Sequence, residues 1–275
     1  MQMNRVWSVW FSGTGTTKKT VCRLGSQAAE HLGVDWMQLD FTPKNAREES
    51  MVFVAGDLVF FGVPVIAGRV PNVLLPFLRE KVVGNGALAV PVVLFGNRNY
   101  DDALIELRDI LQTNGFVTVA GAAFVGEHSF SCTLGAGRPD AKDTERMDSF
   151  AAQVTKKVAV LSEVPTEPVM VRGENPIRPY YTPRDRQGNP INILKVKPKT
   201  DLKKCIRCGY CAACCPMGSI DPDDVTKVTG ICMKCCACVK GCPAGAKYYD
   251  DEGYLYHQRE LEEMYSRRAD PEVFL

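Results

Sequence analysis

Along the N-terminal part of the chain, apolar residues repeat with two periods. An almost entirely apolar run at 57–63 and a continuous one at 87–95 have the length of buried strands. Strands covered on both faces read as such runs rather than as alternating ones. Between runs, apolar residues recur three and four apart. Val21, Leu24, Ala28 and Leu32 share one helical face that ends at Gly33. The pattern predicts strands over 5–11, 34–39, 57–63, 87–95 and 116–124. It predicts helices from Lys18 to Gly33, around 45–53, over 73–81, up to Leu111 and over about 144–161. Strands alternating with helices specify an α/β fold, a parallel sheet with helices on both faces. Five strands joined by right-handed crossovers fit the order 2-1-3-4-5.

Such sheets bind ligands beyond the carboxyl ends of their strands, at the switch point. Three loops at that end are unusual. The first is Ser12, Gly13, Thr14, Gly15, Thr16, Thr17 and Lys18, between a strand and a helix. Free backbone N–H groups and the positive end of a helix dipole meet anions at such a junction. It is not a Rossmann fingerprint, because Lys18 stands at the third glycine position, and no G-K-[ST] makes it a Walker A loop. The second loop is Pro64, Val65, Ile66, Ala67 and Gly68; the third is Gly96, Asn97, Arg98, Asn99 and Tyr100.

Together these loops resemble those of a flavodoxin. The resemblance implies an FMN cofactor, with Ser12, Thr14, Gly15, Thr16, Thr17 and Lys18 on its phosphate. It implies Pro64, Val65, Ile66, Ala67 and Gly68 along one side of the isoalloxazine. Gly96, Asn97, Asn99 and Tyr100 would line the other side, with Tyr100 as the stacking ring or else a plain aromatic at a helix start. Many flavodoxins carry an aromatic in the first ring loop, where this chain has Ile66. Gly68 is a candidate for a peptide that turns its carbonyl toward a reduced flavin. Glu127, His128, Ser129, Ser131 and Cys132 follow the last strand at the same end, where a satisfied loop histidine is the plain reading and a nucleophile–base pair the sharper one.

The strongest signal lies further on. Cys205, Cys208, Cys211 and Cys215 are spaced C-x2-C-x2-C-x3-C before Pro216, and Cys232, Cys235, Cys238 and Cys242 repeat that spacing before Pro243. A shift of 27 residues superposes the two runs and lands Gly218 on Gly245. Two-residue gaps let a tight loop offer three thiolates to three corners of a cubane and leave the fourth corner to a remote cysteine. A structural zinc site would use two C-x2-C pairs and needs no third or fourth cysteine per run. A disulfide framework would need an oxidising compartment. Cys22, Cys132, Cys214 and Cys236 stand outside the pattern.

This stretch resembles a bacterial-type two-cluster ferredoxin. The resemblance implies two [4Fe–4S] clusters with crossed ligand sets. One set would be Cys205, Cys208, Cys211 and Cys242, and the other Cys232, Cys235, Cys238 and Cys215.

Composition adds limits. The net charge of +1 supplies no strong field for nucleic acid or membranes. No apolar run approaches the length of a bilayer span. No secretory leader pattern opens the sequence, so a soluble, cytoplasmic protein is expected, with a homodimer compatible with it. The expected division is 1–163 for the flavodoxin-like domain, 164–200 for a proline-rich basic connector and 201–275 for the two-cluster domain with its tail. Seven of the 17 prolines fall in the connector, which reads as an extended, solvated segment or a docking face for an acidic redox partner. A surface helix is expected over 254–275, with Leu261, Met264 and Tyr265 inward.

The function expected from both resemblances is a relay of single electrons between two clusters and FMN, serving redox partner proteins in an anaerobic-type metabolism. The alternatives are an FMN-dependent reductase of a small substrate fed by the clusters, with Glu127, His128 or Tyr100 as proton donor, and a redox-sensing interaction protein.

Overall fold

The computed structural model describes residues 3–275. The N-terminal part runs β1 (Arg5–Trp10), α1 (Thr16–Leu32), β2 (Asp35–Asp40), β3 (Met51–Val52), β4 (Asp57–Pro64), α2 (Leu75–Glu80), β5 (Val82–Val83), β6 (Leu88–Phe95), α3 (Ala103–Thr113), β7 (Val117–Thr118), β8 (Gly121–Val125) and α4 (Ala141–Ala159). The remainder is sparser: β9 (Lys199–Thr200), α5 (Tyr210–Ala213), α6 (Ala237–Lys240), β10 (Lys247–Tyr248), α7 (Glu252–Met264) and β11 (Glu272–Phe274). No helix among the described residues is long and apolar enough to cross a membrane.

The main sheet has seven strands in the order β11-β8-β6-β4-β1-β2, with β7 beside β6. Every pairing is parallel except β11 with β8. The loops after β1, β4, β6 and β8 therefore gather at one end. Alternate residues of β4 divide between two cores. Val59, Phe61 and Val63 join Leu74, Leu104 and Leu107 on one face, while Leu58 and Phe60 join Val21, Leu24, Phe150 and Val154 on the other. Helices thus cover both faces, which is why these strands are apolar throughout.

The sheet departs from the expected five strands in two places. The strand expected over 116–124 is split. Val117 pairs with Leu88, an offset of 29, whereas Ala122 pairs with Val92, an offset of 30. One extra residue is thus bulged out, and the break falls opposite Pro91, which has no N–H to give a neighbouring strand. The second departure is β11. The expected tail helix stops at Met264, Pro271 bars its continuation, and the chain turns back to cover the exposed edge of β8. Leu261 is buried as expected, but Met264 is 65% exposed. The helix expected around 45–53 is a single 3-10 turn at Asn45–Arg47, followed by β3 on β5.

The connector is not a free, solvated segment. Val169 N donates to Thr118 O at 3.2 Å and Tyr181 N to Ala67 O at 2.8 Å. The fully buried Asp102 carboxylate accepts from the backbone N–H groups of Glu174 (3.0 Å) and Arg178 (2.7 Å) and from Arg178 Nε (2.9 Å). A buried carboxylate persists only when it is paired in this way.

The cysteine-rich part is a structural repeat. α5 superposes on α6 under the same 27-residue shift as the sequence. So do three pairs of left-handed residues: Arg207 with Lys234 (φ 55° and 59°), Gly209 with Cys236 (73° and 58°) and Gly218 with Gly245 (58° each). Left-handed backbone is costly at residues other than glycine, so its recurrence at Arg207 and Lys234 reflects a constraint of the loop shape.

Candidate functional site

The site lies at the carboxyl end of the sheet. A cleft is floored by Ser12, Gly13, Thr14, Thr16 and Thr17. Pro64, Val65 and Ile66 form one wall, and Leu94 to Gly96 with Gly126 to Ser129 form the other. Cys235 closes it from the cysteine-rich part.

The floor leaves several polar groups without partners. Ser12 N donates to Thr42 Oγ1 at 2.8 Å, which anchors the loop. Gly15, at φ 87°, turns the chain into α1 without a side-chain cap, and no acid stands in the first helical turn. The first N–H groups of the helix are left without intrahelical acceptors. The Ser12 hydroxyl is buried with no hydrogen-bond partner. An orphaned hydroxyl beside an uncapped helix start is unusual in a folded chain.

Not every predicted residue faces the cleft. Ser12, Thr14, Thr16, Thr17, Pro64, Val65, Ile66 and Gly96 line it. Gly15 lines a neighbouring cleft with Arg138, Tyr210 and Lys240. Lys18 is exposed, with its Nζ 5.5 Å from the centre of the Trp10 ring. Ala67 and Gly68 are engaged by the connector and by the start of α3, since Gly68 O accepts from Asp102 N at 3.0 Å. Asn97 is buried and holds the tail, donating from Nδ2 to Tyr265 O (2.7 Å) and Arg267 O (2.6 Å) and accepting from Ala269 N (3.0 Å). Asn99 Oδ1 accepts from Arg172 Nη2 at 2.9 Å. The Tyr100 ring is buried beside Phe95 and under the Arg172 guanidinium, and its hydroxyl donates to Glu272 Oε2 at 2.6 Å. Tyr100 therefore does not line the cleft.

His128 occupies the far wall. Its Nδ1 accepts from Phe130 N at 3.1 Å, which leaves the ring hydrogen on Nε2. Burial, with help from His257, Lys240 and Arg98, pushes its pKa down to about 4, so the ring is neutral at pH 7. A Cβ on Gly96 would collide with this ring, so glycine there makes room for it. Leu94, Phe95 and Gly126 line the cleft as well, though the sequence marks them only as the ends of β6 and β8; Gly13 and Cys235 belong to motifs the sequence shows, but their meeting at the cleft is set by the tertiary fold.

The cysteines sort into two groups. One space is lined by Cys205, Cys208, Cys211 and Cys242. A second is lined by Cys215, Cys232, Cys235 and Cys238, with Cys236 beside them. Among the described residues no three His, Cys, Asp or Glu side chains form a group fit for one metal ion. These cysteines ring a volume instead. Backbone N–H groups point at two sulfurs in matching positions, Ser219 N on Cys215 Sγ at 3.4 Å and Ala246 N on Cys242 Sγ at 3.2 Å. Cys214 and Cys236 are engaged otherwise. Their thiols donate to Cys211 O (3.7 Å) and Lys234 O (3.6 Å), and burial pushes both up to about 11. Cys22 is half-buried beside Gln38, and Cys132 is exposed.

Contacts made by Cys235, Lys240 and Pro216 help seat this lobe on the sheet. Cys235 packs on Gly13. Lys240 Nζ donates to Glu127 Oε1 (2.5 Å), His128 O (2.7 Å) and Ser131 O (2.7 Å). Arg47 Nη2 donates to Pro216 O.

No protein-family model matches the sequence, and no curated protein matches it. Among solved structures, the chain is similar to a flavodoxin from the domain Archaea, at 16% identity over 57% of this chain and 99% of that one, with a TM-score of 0.41. It is similar to a flavodoxin of Streptococcus pneumonia TIGR4 (18% identity, 56% and 99% coverage, TM-score 0.40). It is also similar to an apo NADH:FMN oxidoreductase (15% identity, 58% and 92% coverage, TM-score 0.42). The fold itself is read from the strand order and the two helical layers: flavodoxin-like α/β with a mostly parallel sheet.

Proposed function

We propose that the chain is an electron-transfer flavoprotein that carries FMN in the cleft and a [4Fe–4S] cluster in each cysteine-lined space. In this reading 1–163 form the flavin domain, 164–200 a strap across it and 201–275 the cluster domain with its tail. The observation that carries the reading is the sorting of the cysteines. Each space is bounded by three cysteines of one run and the fourth of the other, the crossed pattern of two-cluster ferredoxins. Sulfurs ringing a volume suit a four-cornered cluster, and backbone N–H groups aimed at Cys215 and Cys242 suit thiolate ligands. On the flavin side, the Ser12 hydroxyl and the uncapped start of α1 suit a phosphate.

When bound, the clusters exchange single electrons and the flavin one or two. The residues of this chain hold the cofactors close together. Cys235 belongs to one cysteine set and also closes the flavin cleft, so that set is the inner one and Cys205, Cys208, Cys211 and Cys242 form the outer one. The test is metal and flavin content after anaerobic purification. One FMN and about eight irons with matching sulfide per chain are expected. Zinc in place of iron, or protein that binds no flavin when FMN is added, overturns the proposal.

A further inference from the structure

The two copies of the repeat have unequal surroundings. In the second copy, Met233 packs against the main core, Cys235 sits on Gly13, and Lys234 Nζ folds back onto Leu194 O (2.9 Å) and Cys232 O (3.1 Å). That loop is a docking surface already in use, and what it docks on is the cleft. In the first copy, the matching residues Ile206, Arg207 and Cys208 are all exposed. Cys208 is the one exposed cysteine of the eight. Around it, Leu202 (65% exposed), Ile206 (66%) and Tyr210 (44%) make an apolar patch at the surface.

Within the loop the charge has one sign, and Asp201 stands at its edge. Between Leu202 and Ile220 stand Lys203, Lys204 and Arg207 and no acid. Lys204 meets Asp201 at 3.8 Å, while Lys203 and Arg207 are exposed beside Cys208. An apolar centre with a rim of one charge is the composition of a transient protein interface, in which the rim steers the encounter.

We propose that the loop 202–210 is the docking face for an acidic one-electron carrier protein. It repeats toward solvent the contact that the loop 229–237 makes toward the cleft. A cluster held by the outer cysteine set would take the one electron that the carrier gives up at this face, and two such encounters, with protons taken from solvent, would supply the two electrons that a bound flavin can take. This inference rests on the cluster reading above.

The test uses the full iron-loaded chain and a small acidic ferredoxin as probe, with binding measured by titration calorimetry at low and high salt. Wild type is compared with Lys203→Glu/Arg207→Glu and with Lys142→Glu/Lys156→Glu, which makes the same charge change on α4. The expected result is binding that weakens with salt, a tenfold or greater loss in Lys203→Glu/Arg207→Glu, and less than a twofold loss in the α4 variant. Equal losses in both variants, no loss in either, or no binding by wild type at low salt would each overturn the docking face. Iron content of the same samples separates the failures. Iron-free wild type refutes the cluster reading, whereas iron-loaded wild type without selective binding refutes the docking face alone.

Discussion

Gly13 and Cys235 are in contact across the junction of the two halves of the chain. A Cβ built on Gly13 would stand 2.9 Å from Cys235 Cβ and 3.3 Å from its Sγ. The obstacle is a Cβ fixed to the backbone, not the tip of a flexible side chain, so relief requires one loop to move. Gly13→Ala should separate the loops, at a cost of about 1–3 kcal/mol in stability, the usual range for overpacking. Flavin reduction through the inner cysteine set should slow, while reduction by a small diffusing reductant should not. Stopped-flow flavin bleaching with both reductants measures this, and equal rates in wild type and variant with both would refute a direct junction.

The clusters proposed for the two cysteine sets should also differ in potential. The Tyr249 hydroxyl lies 3.6 Å from Cys232 Sγ, in a buried stack with Tyr254 at 4.2 Å between ring centres. The repeat mate of Tyr249 is Pro222, so Cys205 has no matching hydroxyl. A donor to sulfur stabilises the more negative, reduced state. Tyr249→Phe should therefore lower one of two one-electron potentials by ~40 mV, the equivalent of about 1 kcal/mol of hydrogen bond. A redox titration followed by paramagnetic resonance resolves the two waves. Movement of both waves, or of neither, would contradict the assignment.

Local pattern revealed those parts of the site whose partners are near in sequence. The hydroxyl loop at Ser12 and the wall at Pro64 to Ile66 follow directly from strands that end there. The grouping of the cysteines around two spaces was legible because both runs share one spacing, and one spacing gives both loops one shape. Tyr100 was not, because what decides its direction is remote: Arg172 covers its ring and Glu272 takes its hydroxyl, 72 and 172 residues away. Asp102 shows the same limit. At the start of α3 it has the position of a helix cap, yet its side chain makes no cap bond and is spent on Arg178. The strap and β11 draw their order from such long-range pairs, which no apolar period records.

Asn97 joins the third loop to the returning tail. Three hydrogen bonds tie its side chain to the backbone of Tyr265, Arg267 and Ala269, and its own backbone is left-handed at φ 66°. Asparagine tolerates that conformation better than alanine does. Asn97→Ala should cost about 2–4 kcal/mol from lost bonds and backbone strain together. Denaturant unfolding gives the size. Hydrogen exchange gives the place, since the amides of β11 should lose protection before those of β4. Unchanged exchange in β11 would show that the strand holds the edge of β8 without Asn97.

Two buried histidines should make the chain sensitive to mild acid. Burial pushes both His128 and His257 down to about 4. His257 is the more simply placed, with Arg98 as the further contributor, whereas Glu262 partly opposes the shift of His128. In an unfolded chain histidine titrates near ~6.5. The folded pKa lies below the unfolded one, so between those values the unfolded state binds more protons. The stability these neutral rings confer is complete above about pH 6.5 and is lost as pH falls toward about 4. Urea midpoints should therefore be level from pH 8 to 7 and drop progressively at pH 6 and 5. His257→Gln should flatten part of that slope, because glutamine has no proton to gain. A variant as acid-sensitive as wild type would assign the loss to His128 and not to His257; Asp102, held below its ordinary range by Arg178, contributes only at lower pH, where carboxylates of the unfolded chain take up protons.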